Sequence, residues 1–165
     1  MATSEEQRAR NDSLYAHYLG HFTLAEPKRD IEKRVDQAID HSLASLNLAT
    51  RLIGKPIMKV AALIPESVEF CLHQGQVQII FSRKVVLEAQ LDGPPRHQKV
   101  MTGAWADVSH AIREGAVETR IHSDSGTVTN RYELRGDDLL GKVLMQSPHL
   151  PKDIAYTAKL VRRPR

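Results

Sequence analysis

The stretch AVETRIHS-DSG-TVTNRYEL-RGDD-LLGKVLMQS-PHLPKD-IAYTAKLVRR, residues 116–163, decides the fold. Ala116–Ser123, Thr127–Leu134, Leu139–Ser147 and Ile154–Arg163 each alternate apolar and polar residues. Asp124-Ser125-Gly126, Arg135-Gly136-Asp137-Asp138 and the Pro-containing run 148–153 stand between them. Period-two alternation broken at short intervals by Gly, Asp and Pro is the pattern of antiparallel hairpins. A meander that runs to the last residues points to an up-and-down β-barrel, and small barrels enclose room for one small molecule.

Upstream, Ser67–His73, Val77–Arg83 and Val85–Leu91 are rich in β-branched and aromatic residues, with Gly75 and the Asp92-Gly93-Pro94-Pro95 run as breaks. Lys99–Thr102 and Trp105–Ile112 complete an expected set of about eight or nine strands. The first third reads as two helices. Tyr15, Tyr18, Leu19 and Phe22 share one face at i, i+3, i+4, i+7 spacing. Thr23 to Glu26 has the spacing of a capping box, with Pro27 in the opening turn. From Lys28 to Ile53, Ile31, Val35, Ile39, Leu43 and Leu46 recur at helical intervals, and Gly54 and Pro56 supply the stop. The expected organisation is one domain over 1–165, with a helical segment 1–54 and a β-barrel 65–163.

The composition sets bounds. Hydrophobic residues make up 41% and charged residues 26%, as in an ordinary water-soluble domain, and no apolar run spans a membrane. MATSEEQRARND lacks the apolar stretch of a secretory signal, and the lone Cys71 has no internal partner, so a reducing cytoplasm is expected. The net charge is +3, aromatics are 5%, and basic residues are interleaved with acidic ones, which argues against a nucleic-acid surface. GxSxG, HExxH, P-loop and CxxC signatures are missing, and no cofactor is expected. His17 and His21 have an i, i+4 spacing that suits a metal, but no third ligand accompanies them, so no metal site is expected.

Alternation also sorts candidate ligand-binding residues. Asn130 and Tyr132 lie on the apolar side of their strand with Val128 and Leu134. On the last strand Tyr156 and Arg162 share a face with Ile154, Ala158 and Leu160. A Tyr and an Asn facing an apolar lumen can orient a polar ligand group, and a guanidinium near the mouth can pair with a carboxylate. Trp105 supplies a broad apolar surface as core, plug or ligand platform. The alternative for Tyr132 is a core ring with its hydroxyl bonded to backbone. Cys71, between Phe70 and Leu72, reads as a small buried hydrophobe. Glu118, Arg120 and His122 read as an outer face; the opposite register would turn them inward as an acid–base set.

The run Gly126–Leu134, then Asp137-Asp138, Ser147-Pro148-His149-Leu150-Pro151, Tyr156 and Arg162-Arg163 resembles the C-terminal half of bacterial lipocalin-like (calycin-type) barrel proteins. The similarity covers the last third of the chain and is one of pattern. It implies a barrel with an interior pocket for a fatty acid or another apolar ligand, or a cofactor-free cyclase that folds a reactive polyene in such a pocket. The expected function is therefore binding of a small apolar or amphipathic molecule in the lumen. The alternatives are a cyclase or isomerase using the same pocket, and an interaction module docking through the N-terminal helices.

Overall fold

The computed structural model describes residues 2–62, 64–100 and 103–164, with the side chains of Val60 and Ala61 outside that description. Its C-terminal half follows the alternation closely. Strands β6 (Trp105–Arg113), β7 (Ala116–Ser123), β8 (Gly126–Arg135), β9 (Asp138–Gln146) and β10 (Ile154–Arg162) pair antiparallel, each with the next, after a short β5 (Arg96–Lys99). A second meander, β2 (Ser67–His73), β3 (Gln76–Phe81) and β4 (Val85–Ala89), precedes it. The strand that joins the two runs is β1 (Gly20–Leu24), which pairs with β10 on one side and β2 on the other.

Among the described residues the strand order is β4-β3-β2-β1-β10-β9-β8-β7-β6-β5, a ten-stranded antiparallel sheet curled into a nearly closed barrel. The expected eight or nine strands do not include β1, where the apolar spacing through Phe22 predicts a continuation of the first helix. Gly20, at φ +141°, marks the change from helix to strand, in a backbone region that a side chain rarely enters. The strand expected at Lys99–Thr102 lies earlier, at Arg96–Lys99; Met101 and Thr102 fall outside the described residues.

The free edges β4 and β5 meet without a ladder, and side chains close the seam. The Gln98 side-chain amide copies a backbone pairing: its Oε1 accepts from the Glu88 amide at 3.1 Å and its Nε2 donates to the Glu88 carbonyl at 2.6 Å. Arg96 pairs with the Glu88 carboxylate. His110 of β6 reaches across to the Leu87 carbonyl at 3.1 Å.

Three helices, not two, accompany the barrel among the described residues. The first, α1 (Ser4–Tyr18), opens on a capping box of Thr3 and Glu6. The long expected helix is two: α2 (Lys28–Leu43) and α3 (Leu48–Ala61), separated at Asn47, whose side chain accepts from the Thr50 amide and caps the second. Gly54 and Pro56 therefore lie inside α3 rather than ending a helix. Pro56 lacks an amide donor there and its ring crowds the carbonyl four residues earlier, and Leu43 packs beside Gly54, 3.7 Å from where a β-carbon would stand. The capping box expected at Thr23–Glu26 does not form. Thr23 belongs to β1, the cap of α2 is Pro27, and the Glu26 carboxylate instead accepts from the Lys159 amide at 2.7 Å and pairs with Arg34.

The helices close opposite ends of the barrel. At one end α1 lowers Tyr15 and Tyr18 among Phe22, Phe70 and Tyr132, with Phe70 as the hub of four ring contacts at 5.3–6.4 Å. At the other end β1 is shorter than β10, and α2 runs along the edge thus left free. Ile31, Val35 and Ile39 pack there against Met145, Ile154 and Tyr156. Burial of each of these aliphatic side chains contributes roughly 1.5–3 kcal/mol, enough to hold α2 against the barrel without a capping bond.

Candidate functional site

Inside the barrel the alternation read from sequence holds. Val128, Asn130 and Tyr132 point inward from β8, opposite Met145, Val143 and Gly141 of β9, while Tyr156 and Leu160 point inward from β10. Together with Leu24, Ile64 and Pro65, which flank the α2–α3 hairpin, they line an apolar cavity of about 50 Å³. Such a volume holds a few waters, and falls well short of the roughly 300–1,000 Å³ of ordinary ligand pockets. Tyr15 and Tyr18 of α1 pack into the lumen at one end, and the apolar face of α2 packs at the other.

The three polar side chains on this cavity are unusual in a shared way. Asn130, Tyr132 and Tyr156 are each more than nine-tenths buried. None makes a side-chain hydrogen bond to another group among the described residues, and all three residues line the cavity, Tyr156 bordering an outer groove as well. Buried polar groups are normally bonded, so three without protein partners around one cavity form a ready set of anchors. Burial raises the phenol of Tyr156 to about 12 and that of Tyr132 further, with the Tyr156 charge adding to the latter. Both are therefore neutral donors.

The contrast with α1 is sharp. The Tyr15 hydroxyl donates to the Cys71 carbonyl at 3.1 Å. The Tyr18 hydroxyl shares its hydrogen between the carbonyls of Gly115 (2.9 Å) and Tyr132 (3.1 Å) and accepts from the Leu134 amide at 3.3 Å. These rings are structural pegs. Their apolar spacing was legible in sequence; that they would enter the lumen was not.

Two expected site residues stand apart. Trp105 lies on the outer face of β6 and is 55% exposed, stacked on His97 at 5.2 Å with Lys99 over its ring. The inward set of β6 is Ala106, Val108, His110 and Ile112, which leaves Trp105 on the other side of the pleat. Arg162 does face inward, yet its guanidinium donates to the carbonyls of Leu19 (2.6 Å) and His17 (2.7 Å), lies over the Phe22 ring and pairs with Asp137. It holds the C-terminal end of α1. A β-carbon on Gly20 would sit 2.7 Å from Arg162 Nη1, so this glycine makes way for the arginine.

The remaining expectations resolve simply. Glu118 and His122 are on the outer face with Arg120. Cys71 is half-buried on the outer face of β2 rather than in the core, since Val68 and Phe70 take the inward positions. His17 ends α1 while His21 lies in β1, so the helical pairing of the two does not arise. Sequence reading passed over His110. Its Nε2 must donate to the Leu87 carbonyl, so Nδ1 accepts from the Thr119 hydroxyl at 2.9 Å. Burial lowers its pKa to about 4, leaving it neutral near pH 7.

No protein-family model and no curated protein matches the chain. Solved structures do. Fatty-acid-binding protein 1 of Echinococcus granulosus aligns over 90% of this chain and 99% of its own, with a TM-score of 0.58 and 10% identity. A fatty-acid-binding protein of Schistosoma mansoni, solved with arachidonic acid, aligns over 91% and 98%, with a TM-score of 0.54 and 14% identity. Secretory abundant heat soluble protein 4 from Ramazzottius varieornatus aligns over 89% and 95%, with a TM-score of 0.52 and 12% identity. At such identities the likeness is one of fold, and it spans most of the chain rather than its last third: the architecture is a lipocalin-like barrel.

Proposed function

We propose that the protein holds a small apolar or amphipathic molecule in the barrel lumen. The observation that carries this reading is the trio Asn130, Tyr132 and Tyr156, buried on an apolar cavity with no side-chain hydrogen-bond partner among the described residues. The neighbours described as fatty-acid-binding proteins support it by analogy of fold. α2 packs on two residues of the cavity wall, Met145 and Tyr156, and a ligand chain enters by taking over part of that contact. Trp105 and Arg162 have no part in this site. The cyclase alternative would use the same cavity, and no observation favours it over plain binding. The unpaired Cys71 accords with a reducing compartment, and we assign the protein to the cytoplasm on that ground.

A second reading, docking of a partner through the N-terminal helices, draws on α3. Leu48, Leu52, Ile53 and Ile57 are between 58% and 69% exposed, whereas Gly54 and Met58 face the protein. An apolar helix face turned outward is the mark of an interaction surface. One experiment separates the two. Stripped of co-purified lipid, the protein should bind the uncharged dye Nile red with one-to-one saturation, and Val143→Phe, which fills the cavity, should abolish the signal. Binding that survives Val143→Phe but is lost on replacing Leu52 and Ile57 by Ser would refute the lumen reading and leave the docking one.

A further inference from the structure

We infer that the lumen site selects a ligand whose polar end is uncharged, an alcohol, aldehyde, ester or amide, and rejects the carboxylate of the same chain. The inference rests on the lumen-binding reading above and names the ligand class for that site. Its ground is the fate of every basic side chain at an inward-facing strand position among the described residues. These are Arg96, His110 and Arg162. Arg96 crosses the seam to the Glu88 carboxylate. His110 spends both ring nitrogens on Leu87 and Thr119. Arg162 is bound to the last carbonyls of α1 and to Asp137, at the opposite end of the lumen from α2. None of the three lines the cavity.

What the cavity does offer is one carboxamide and two phenol hydroxyls. These donate and accept hydrogen bonds, which suits a hydroxyl or carbonyl. A carboxylate seated there would be desolvated without a counter-charge, and a buried unpaired charge costs several kcal/mol. The neutral ligand end loses only its water contacts and regains them from Asn130 and the tyrosines. In the groove outside Tyr156, Arg131 and Lys142 pair with Glu133. Arg34, beside Tyr156 on the outer side, is held by Glu26 and donates to the Thr157 carbonyl at 2.9 Å.

The test compares octanol with octanoate on the intact protein, by calorimetry at about pH 8. Octanol should bind at least about 100-fold more tightly, the fold-change matching an unpaired buried carboxylate. Octanoate should gain about tenfold per pH unit as its neutral fraction grows on acidification to about pH 5.5. Equal or tighter binding of octanoate at about pH 8 overturns this inference and leaves lumen binding standing. Failure of both ligands, with Nile red also unbound, overturns the lumen reading and the inference together.

Discussion

Replacing Tyr18 by Phe and replacing Tyr132 by Phe delete the same atom from two rings of one lumen, and the two variants should behave differently. The Tyr18 hydroxyl meets two carbonyls and one amide at 2.9–3.3 Å, tying α1 to the β6–β7 turn and to β8. A net intramolecular hydrogen bond is worth about 1 kcal/mol, and an amide left without its partner costs more than the bond alone. Tyr18→Phe should therefore destabilise the protein by about 2 kcal/mol. For a chain of this length that lowers the melting temperature by roughly 4–8 °C. The Tyr132 hydroxyl has no hydrogen-bond partner to lose among the described residues. Tyr132→Phe should stay within about 0.5 kcal/mol of the parent, while its affinity for a lumen ligand falls roughly fivefold, one lost hydrogen bond's worth. Urea titrations of both variants and of the parent, followed by ligand titrations of the folded proteins, measure each number. A Tyr132→Phe loss as large as that of Tyr18→Phe would mean that both hydroxyls are core pegs, and the anchor argument would fail.

Two further outcomes are expected. His110 is held neutral by burial, with its folded pKa near 4 against an ordinary 6.5; the unfolded chain binds the proton more readily, so stability is complete above about pH 6.5 and falls by roughly 3 kcal/mol as pH drops toward 4. Denaturation midpoints across that window should lose this slope in His110→Gln. Ile39, on the barrel-facing side of α2, is fully buried, and Ile39→Asp should cost about 3–5 kcal/mol as an unpaired buried charge, read as a lowered urea midpoint; an unchanged midpoint would show α2 free of the barrel.

What could be read from the sequence was whatever is decided locally. The hairpins β6 to β10 carry both alternation and turn residues within a dozen positions, so their faces and their partners followed, and with them the inward placing of Asn130, Tyr132 and Tyr156. The strand β1 has no such signal. GHFTL becomes a strand because β10 and β2 offer it their edges, and Phe22 reads equally well as the next turn of α1. The break between α2 and α3 falls at Ala44-Ser45-Leu46, residues a helix tolerates; Asn47 was the one local hint. Trp105 was misplaced because size suggested core, while its strand already alternated toward Ala106 and Val108. The committed Arg162 and the seam-closing Gln98 and His110 depend on groups far along the chain, which no window of sequence displays.

The pairing of β1 with β10 has a consequence for how the molecule comes to exist. Thr23 and Arg163, joined by a 2.6 Å hydrogen bond, are 140 residues apart, and Arg162 grips the end of α1 across 143. On the ribosome, at about 5–20 residues per second, the N-terminal helix and strand wait on the order of ten seconds for the segment that will hold them. The hairpins from β6 onward can form as they emerge, but the ring is completed only by the final strand, which makes closure a late, long-range step. Until then the tyrosines of α1 and the edge of β1 lack the strand that will cover them, and the chain is most exposed to misassembly at that edge.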